Sequence, residues 1–391
     1  MGRGNITRRG KNSWRLKFDD GRDASGKRLT RYITFRGSKR EAERELTRLL
    51  ARRNERTYVD PSNLTVADHT RSRIEQWSAL GKDHAKIAER YHELLANQIA
   101  PQIGKAPLQK LKPADVERWH ATLKKRGRKD GDGGLSAQTI RHAHRLLSKA
   151  LKEAVRHDIV MRNVAAIEPP PPTDNGEVVV LDPEQIKLLV DRLRRRTIYP
   201  KVITALFTGI RRGELLALRW SDLVGRTLRV GRAIEETRGG LRIKTPKTEN
   251  SVRQISLPDI IISALHELRE QQAALGLEGD GSIFPKLDGT PQSPRAFSKE
   301  WAVVAASLGL PVTFHALRHT HASHLIDAGI DVVKISRRLG HATPAITLLY
   351  AHLFRKRDDK SGEAINAAVT EILGANSGAN SALAGELDGV K

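Results

Sequence analysis

The sequence predicts a multidomain chain, mainly α-helical with small β-sheets: an N-terminal three-stranded sheet plus helix, a helical bundle, then a mixed α/β region. Three observations carry this expectation. The N-terminal stretch alternates apolar and polar residues with the period of a strand, and the middle repeats apolar residues with the period of a helix. The proline run in "EPPPPTDNGE", Glu168 to Glu177, cannot continue a helix and favours extended geometry, which makes it the best boundary in the chain. The 391 residues also exceed one ordinary core and favour about two to three domains.

In "SWRLKF" the apolar Trp14, Leu16 and Phe18 alternate with Arg15 and Lys17, as in a strand with one buried and one basic face. "RLTRYITF" follows a Gly-containing turn, and Ser38 with Glu41 forms a capping box that opens a helix to near Arg53. Residues 1–57 are therefore expected to form a module of their own. Residues 64–168 read as a helical bundle, clearest in "ADVERWHATLKKRG" and in the helix opened by Ser136, where Leu147, Ala150, Leu151 and Val155 share one face. After a linker at 169–178, residues 179–374 are helix-rich, interrupted near Thr227 to Leu257 by strand-like runs with a turn at Gly239-Gly240. Residues 375–391 read as a frayed tail.

Charge narrows the partners. The chain carries 68 Lys+Arg against 45 Asp+Glu, a net +23, and residues 1–57 alone hold 18 basic and 7 acidic residues. Such a field attracts a polyanion, and nucleic acid leads. There is no apolar run of about 18 residues and no hydrophobic segment behind the basic N-terminus, so the expectation is a soluble, unsecreted, cytoplasmic protein with no membrane partner. Zero cysteines exclude disulfides, thiolate zinc sites and cysteine nucleophiles.

Four passages hold the chemistry: "LFTGIRRGELLALRWSDL", "IKTPKTENSVRQISLP", "FHALRHTHASHL" and "RRLGHATPAITLLYAHL". Singly, each has an ordinary explanation. Arg211 fits an ion-paired surface arginine, Lys247 a solvated turn, His341 a residue before a helix opened by Thr343 and Pro344, and Tyr350 a core aromatic. Together they run T-G-x-R-x-G-E-L, a Lys on a strand-turn, H-x-x-R, L-G-H, and a Tyr nine residues after that His. In this order the motifs resemble those of the tyrosine recombinases, the lambda-integrase-like or phage integrase family. The resemblance spans nearly the whole chain, with specific motifs only in the last domain.

That resemblance implies an arm-type DNA-binding domain (1–57), a core-type DNA-binding domain (64–168) and a catalytic domain (179–374). It implies a site-specific recombinase that cuts and rejoins DNA through a 3'-phosphotyrosyl intermediate and a Holliday junction. Tyr350 is then the nucleophile, Arg211 and Arg318 hold the phosphate, Lys247 is the general acid, His315 takes the tyrosine proton and His341 donates to the phosphate. Glu214, one helical turn from Arg211, would orient the site. The residue types suit this chemistry, because guanidiniums are always charged and present paired donors to a phosphorane-like state, and a phosphotyrosine conserves the bond energy.

DNA contacts are expected from Arg8, Arg9, Lys11, Arg15, Lys17, Arg31, Arg141 and Arg145. His315 and His319 stand i,i+4 as helix metal ligands can, but there is no H-E-x-x-H and no nearby carboxylate pair, so neither metal nor cofactor is expected. His319, His321 and His324 receive no role. Expected partners are double-stranded DNA with core-type and arm-type sites, a homotetramer in the synapse, a host DNA-bending protein and an excision directionality factor. Ile365, Val369, Ile372 and Leu373 share a helical face that packs either on its own domain or on a neighbouring subunit. Two rival readings are a conjugative-transposon or chromosome-dimer-resolving recombinase and a catalytically silent DNA-binding regulator.

Overall fold

A computed structural model describes residues 4–22, 26–54, 59–81, 85–128, 133–173, 179–245, 252–277, 281–310, 312–341 and 343. The chain divides into two compact units, residues 1–175 and 176–391.

The first unit opens with an antiparallel sheet in the order β1 (Asn5–Gly10), β2 (Ser13–Arg22), β3 (Arg28–Arg36), followed by α1 (Lys39–Asn54). The alternation in β2 does what its period requires: Leu16 and Phe18 are buried against Ala42, Leu46 and Leu49 of α1. Ser38 and Glu41 cap that helix reciprocally, Glu41 Oε2 accepting from Ser38 N at 2.7 Å and Ser38 Oγ accepting from Glu41 N at 3.3 Å.

A helical bundle follows: α2 (Val66–Ala79), α3 (Ala85–Leu94), α4 (Pro113–Arg126), α5 (Ala137–Arg156) and the short α6 (Val164–Ile167). The N-cap side chain of Ser136 accepts from Thr139 N, and α5 buries Ile140, Ala143, Leu146, Leu147, Ala150, Leu151 and Ala154 along one stripe. Each leucine so buried is worth about 1.5–3 kcal/mol, which is why the stripe, not intrinsic propensity, fixes α5.

Three histidines are buried in this core, His69, His120 and His144, and the last two pack together. His120 Nε2 lies 3.2 Å from His144 Nδ1, one ring donating and the other accepting. Burial, then His120, then Arg145 push the His144 pKa down to about 4, and burial also lowers His120. A histidine depressed from its ordinary value of about 6.5 leaves the unfolded chain binding more protons. Its contribution is therefore complete above about pH 6.5 and fades as pH falls toward 4, an effect of about 3 kcal/mol. Amides of α4 and α5 are expected to lose hydrogen-exchange protection between pH 7 and pH 5, and a His120→Leu/His144→Leu variant to lose most of that pH dependence, the rest belonging to His69, whose pKa burial also lowers and which bonds Ala150 O.

The second unit contains α7 (Pro183–Leu193), α8 (Tyr199–Thr208), α9 (Arg212–Leu215), β4 (Leu223–Val224), β5 (Thr227–Val230), β6 (Ala233–Thr237), β7 (Gly240–Lys244), β8 (Arg253–Ser256), α10 (Asp259–Ala274), α11 (Pro294–Ser307), α12 (Phe314–Asp327) and α13 (Val332–Leu339). β4, β5 and β8 form an antiparallel sheet, and β6 and β7 a hairpin. Apolar on nearly every side, α8 is central and packs against α10 and α12. Phe297 and Trp301 meet Phe314 edge-on at 4.7 and 5.8 Å, seating the start of α12 on α11. Among the described residues no helix is long and apolar enough to cross a membrane.

Candidate active site

Two helices end in left-handed glycines, and the site is built on them. α8 stops at Gly209 (φ 65°) and α13 at Gly340 (φ 67°). Gly209 has no room for a side chain: a Cβ there would lie 2.5 Å from Leu339 Cδ2 and 2.8 Å from His321 Cδ2. The sharp turn it permits delivers Arg211 in extended conformation as the N-cap of α9.

Arg318, on the inner face of α12 and 3% exposed, joins the two helix ends. Its Nη1 donates to Gly209 O at 2.6 Å and its Nη2 to Leu339 O at 2.8 Å. Arg211 reaches the same turn, Nη2 donating to Gly340 O at 2.9 Å and Nη1 to Glu214 Oε1 at 3.0 Å. Carbonyls orphaned at helix ends thereby hold both guanidiniums. Glu214 also accepts from Arg211 N at 3.0 Å. Burial pushes the Glu214 pKa up, but hydrogen bonds and charges from Arg253 and Arg211 outweigh it, so the net shift is downward and the carboxylate stays ionised.

His315 lies one turn before Arg318, its ring edge-on to His319 at 4.7 Å. Burial first, then His319 and the charges of Arg318, Arg211 and Arg212, hold it at about 4. His341 is also held at about 4, by burial and by Arg318, Arg211 and Arg253. Both rings are neutral at pH 7. An anion placed among these cations would raise both, so each can gain a proton only when the site is charged by its ligand. A cavity of about 800 Å³ opens beside Arg211 and His315, walled by Ile210, Trp301 and Phe314.

His321 and His324 hydrogen-bond within the fold. His321 Nε2 accepts from Arg338 Nε at 3.1 Å while its ring also bonds the Leu206 backbone, and burial takes its pKa down to about 3. His324 Nε2 lies 3.3 Å from Leu181 O. Among the described residues no three metal-ligating side chains converge. Lys247 and Tyr350 lie outside the described residues.

Residues 179–357 match the family model described as the phage integrase family. A "Tyrosine recombinase XerC-like" protein of Caldanaerobacter subterraneus subsp. tengcongensis is 26% identical over 393 residues, covering 93% of this chain and 98% of the relative. Residues 179–357 belong to the phage integrase family of tyrosine recombinases. The ICEBs1 integrase of Bacillus subtilis is 29% identical over 60% of this chain and 66% of its own length. Two solved structures share the fold. The Tn1549 transposon integrase in complex with a circular intermediate DNA superposes with TM-score 0.65 (21% identity, 73% of this chain, 94% of that one). The lambda integrase tetramer bound to a Holliday junction superposes with TM-score 0.55 (18%, 87% and 96%).

Arg253 escaped the sequence reading of this tyrosine recombinase. Its side chain is 6% exposed, and it donates from Nη2 to Glu214 Oε2 at 2.7 Å, from Nη1 to Glu214 Oε1 at 3.3 Å and from Nε to Arg338 O at 2.8 Å. The signal was present: in β8 an Arg two residues before the buried Ile255 occupies an inward position, where an arginine needs a partner.

The basic residues singled out for DNA divide by face. Asn5, Lys17 and Tyr32 are in register across the N-terminal sheet, as are Thr7, Arg15 and Thr34. Arg15 and Lys17 flank the Tyr32 ring at 5.3 and 5.9 Å, making a basic, aromatic outer face. Arg31 is paired with Phe18 and Arg8 with Trp14, on the α1 side, and Arg31 contacts Asp60 at 2.7 Å. Arg9 and Lys11 lie exposed about the β1–β2 turn. Arg141 Nη2 donates to Pro171 O at 3.4 Å, tying α5 to the proline run, while Arg145 is exposed one turn further on.

Proposed function

We propose that this tyrosine recombinase is an integrase that joins and releases a phage or mobile element at specific DNA sites. The observation that carries the chemistry is the convergence of Arg211 and Arg318 on the 339–340 turn, with His315 and His341 beside them. Two fixed guanidiniums match the non-bridging oxygens of a phosphodiester and gain most as attack adds negative charge. Tyr350 Oη attacks phosphorus, forming a 3'-phosphotyrosine as the bond to the 5'-oxygen breaks. Tyrosine must lose a proton held with a pKa of about 10, and His315 takes it once the phosphate has raised its own pKa. Lys247 gives a proton to the departing 5'-oxygen, and His341 donates to the phosphate. Reversal with a second 5'-hydroxyl rejoins the strands, so no bond energy is lost.

Exchange between two duplexes cuts four strands and calls for four such sites, hence a homotetramer working through a Holliday junction. Residues 64–168 then grip the core site. Residues 1–57 would bind a separate arm site with the Arg15, Lys17 and Tyr32 face, while Arg31 and Arg8 serve the sheet's other side. A host DNA-bending protein would bring arm and core sites together, and a small directionality factor would favour excision. The fold shared with the Tn1549 transposon integrase makes a transposon, conjugative or not, the second reading for the cargo.

Sequencing of recombinant junctions formed between element and host DNA tests the function. Chelator is present and ATP absent throughout. The expected result is reciprocal exchange at a few discrete sites, and the sequence of the exchanged segments separates a phage from a transposon. Specific binding without any exchange would favour the silent regulator instead.

A further inference from the structure

Arg253 takes no part in the roles above, yet it touches two of the motif segments that make the site. We propose that Arg253 is a positioning residue for strand cleavage, acting through Glu214 on Arg211; this rests on the recombinase reading. Each oxygen of Glu214 accepts two bonds. Oε2 takes Arg211 N at 3.0 Å and Arg253 Nη2 at 2.7 Å, and Oε1 takes Arg211 Nη1 at 3.0 Å and Arg253 Nη1 at 3.3 Å. The carboxylate is thus a joint with Arg211 on one side and Arg253 on the other. Arg253 also fixes the turn that carries His341, through Nε to Arg338 O. A Cβ on Gly340 would come within 2.9 Å of Arg253 Nη1, so glycine there is the counterpart of a guanidinium packed on the turn.

The arrangement uses the planar fork of arginine, which holds both carboxylate oxygens and a carbonyl at once; lysine can supply charge to Glu214 but not all three bonds. Without Arg253 the buried Glu214 loses its strongest hydrogen bond and becomes easier to protonate, and a protonated Glu214 no longer holds Arg211 firmly.

The test is single-turnover cleavage of a suicide substrate by the full-length protein, comparing wild type with Arg253→Met and Arg253→Lys. Arg253→Met is expected to slow cleavage about a hundredfold with DNA affinity within about threefold, and to gain an acid limb in its pH–rate profile. Arg253→Lys restores the profile while the rate stays about tenfold low. A scissile methylphosphonate, whose neutral centre asks less of Arg211, should shrink the Arg253→Met deficit to about threefold, whereas a sulfur-bridged leaving group should leave it unchanged. Equal deficits on all three substrates with an unaltered pH profile would make the role purely structural. Rescue by sulfur would place Arg253 behind the leaving group instead. Failure of wild type to cleave any of these substrates would count against the recombinase reading, not against Arg253.

Discussion

Arg318→Met is expected to slow strand cleavage by at least about a thousandfold, roughly 4 kcal/mol of barrier, with DNA binding little changed. The size follows from where the guanidinium sits. It is almost wholly buried, and its plane is fixed by Gly209 O and Leu339 O, so its charge needs no rearrangement when the phosphate gains negative charge. Methionine fills much of the volume but supplies neither charge nor donors. It also leaves two buried carbonyls without this partner, at about 1–3 kcal/mol each, so urea denaturation should show a lower midpoint as well.

A second variant separates aim from charge. Gly209→Ala keeps the charge of Arg318 but forces Cβ against Leu339 and His321 in a left-handed conformation, and should destabilise by about 2 kcal/mol or more. Because Gly209 O aims Arg318 and its turn delivers Arg211, cleavage should slow as well, though less than in Arg318→Met at matched folded fraction. Cleavage by Arg318→Met within about tenfold of wild type at matched folded fraction would contradict the role of Arg318.

Much of this was legible because motif chemistry survives separation along the chain. Arg211 and Gly340 are 129 positions apart and hydrogen-bonded, and the family resemblance carried by the motifs already links their segments. What spacing could not reveal is the main-chain part of the site: the carbonyls of Gly209, Leu339 and Gly340 that aim the arginines exist only once two helices end side by side. The contacts of the surplus histidines are hidden from the sequence for a related reason. In the fold the rings of His315 and His319 meet edge-on and His321 accepts from Arg338, contacts that spacing along a helix does not specify. The face of Arg31 is legible too: the apolar Ile33 and Phe35 of the same alternation turn it away from the face of Arg15 and Lys17. The fold class followed directly from periodicity, and the N-terminal sheet and its capped helix stand where alternation and capping chemistry put them.

The central claim is that Tyr350 becomes covalently joined to DNA, and denaturant-resistant adducts test it most directly. Wild type and Tyr350→Phe are each incubated, in chelator, with fragmented element and host DNA, and the captured ends are sequenced. Wild type should give adducts at a few discrete sites, with the protein on the 3'-phosphate, and Tyr350→Phe should bind the same sites and give none. Adducts of equal yield from the phenylalanine variant, or cleaved ends from wild type carrying no protein, would contradict the account.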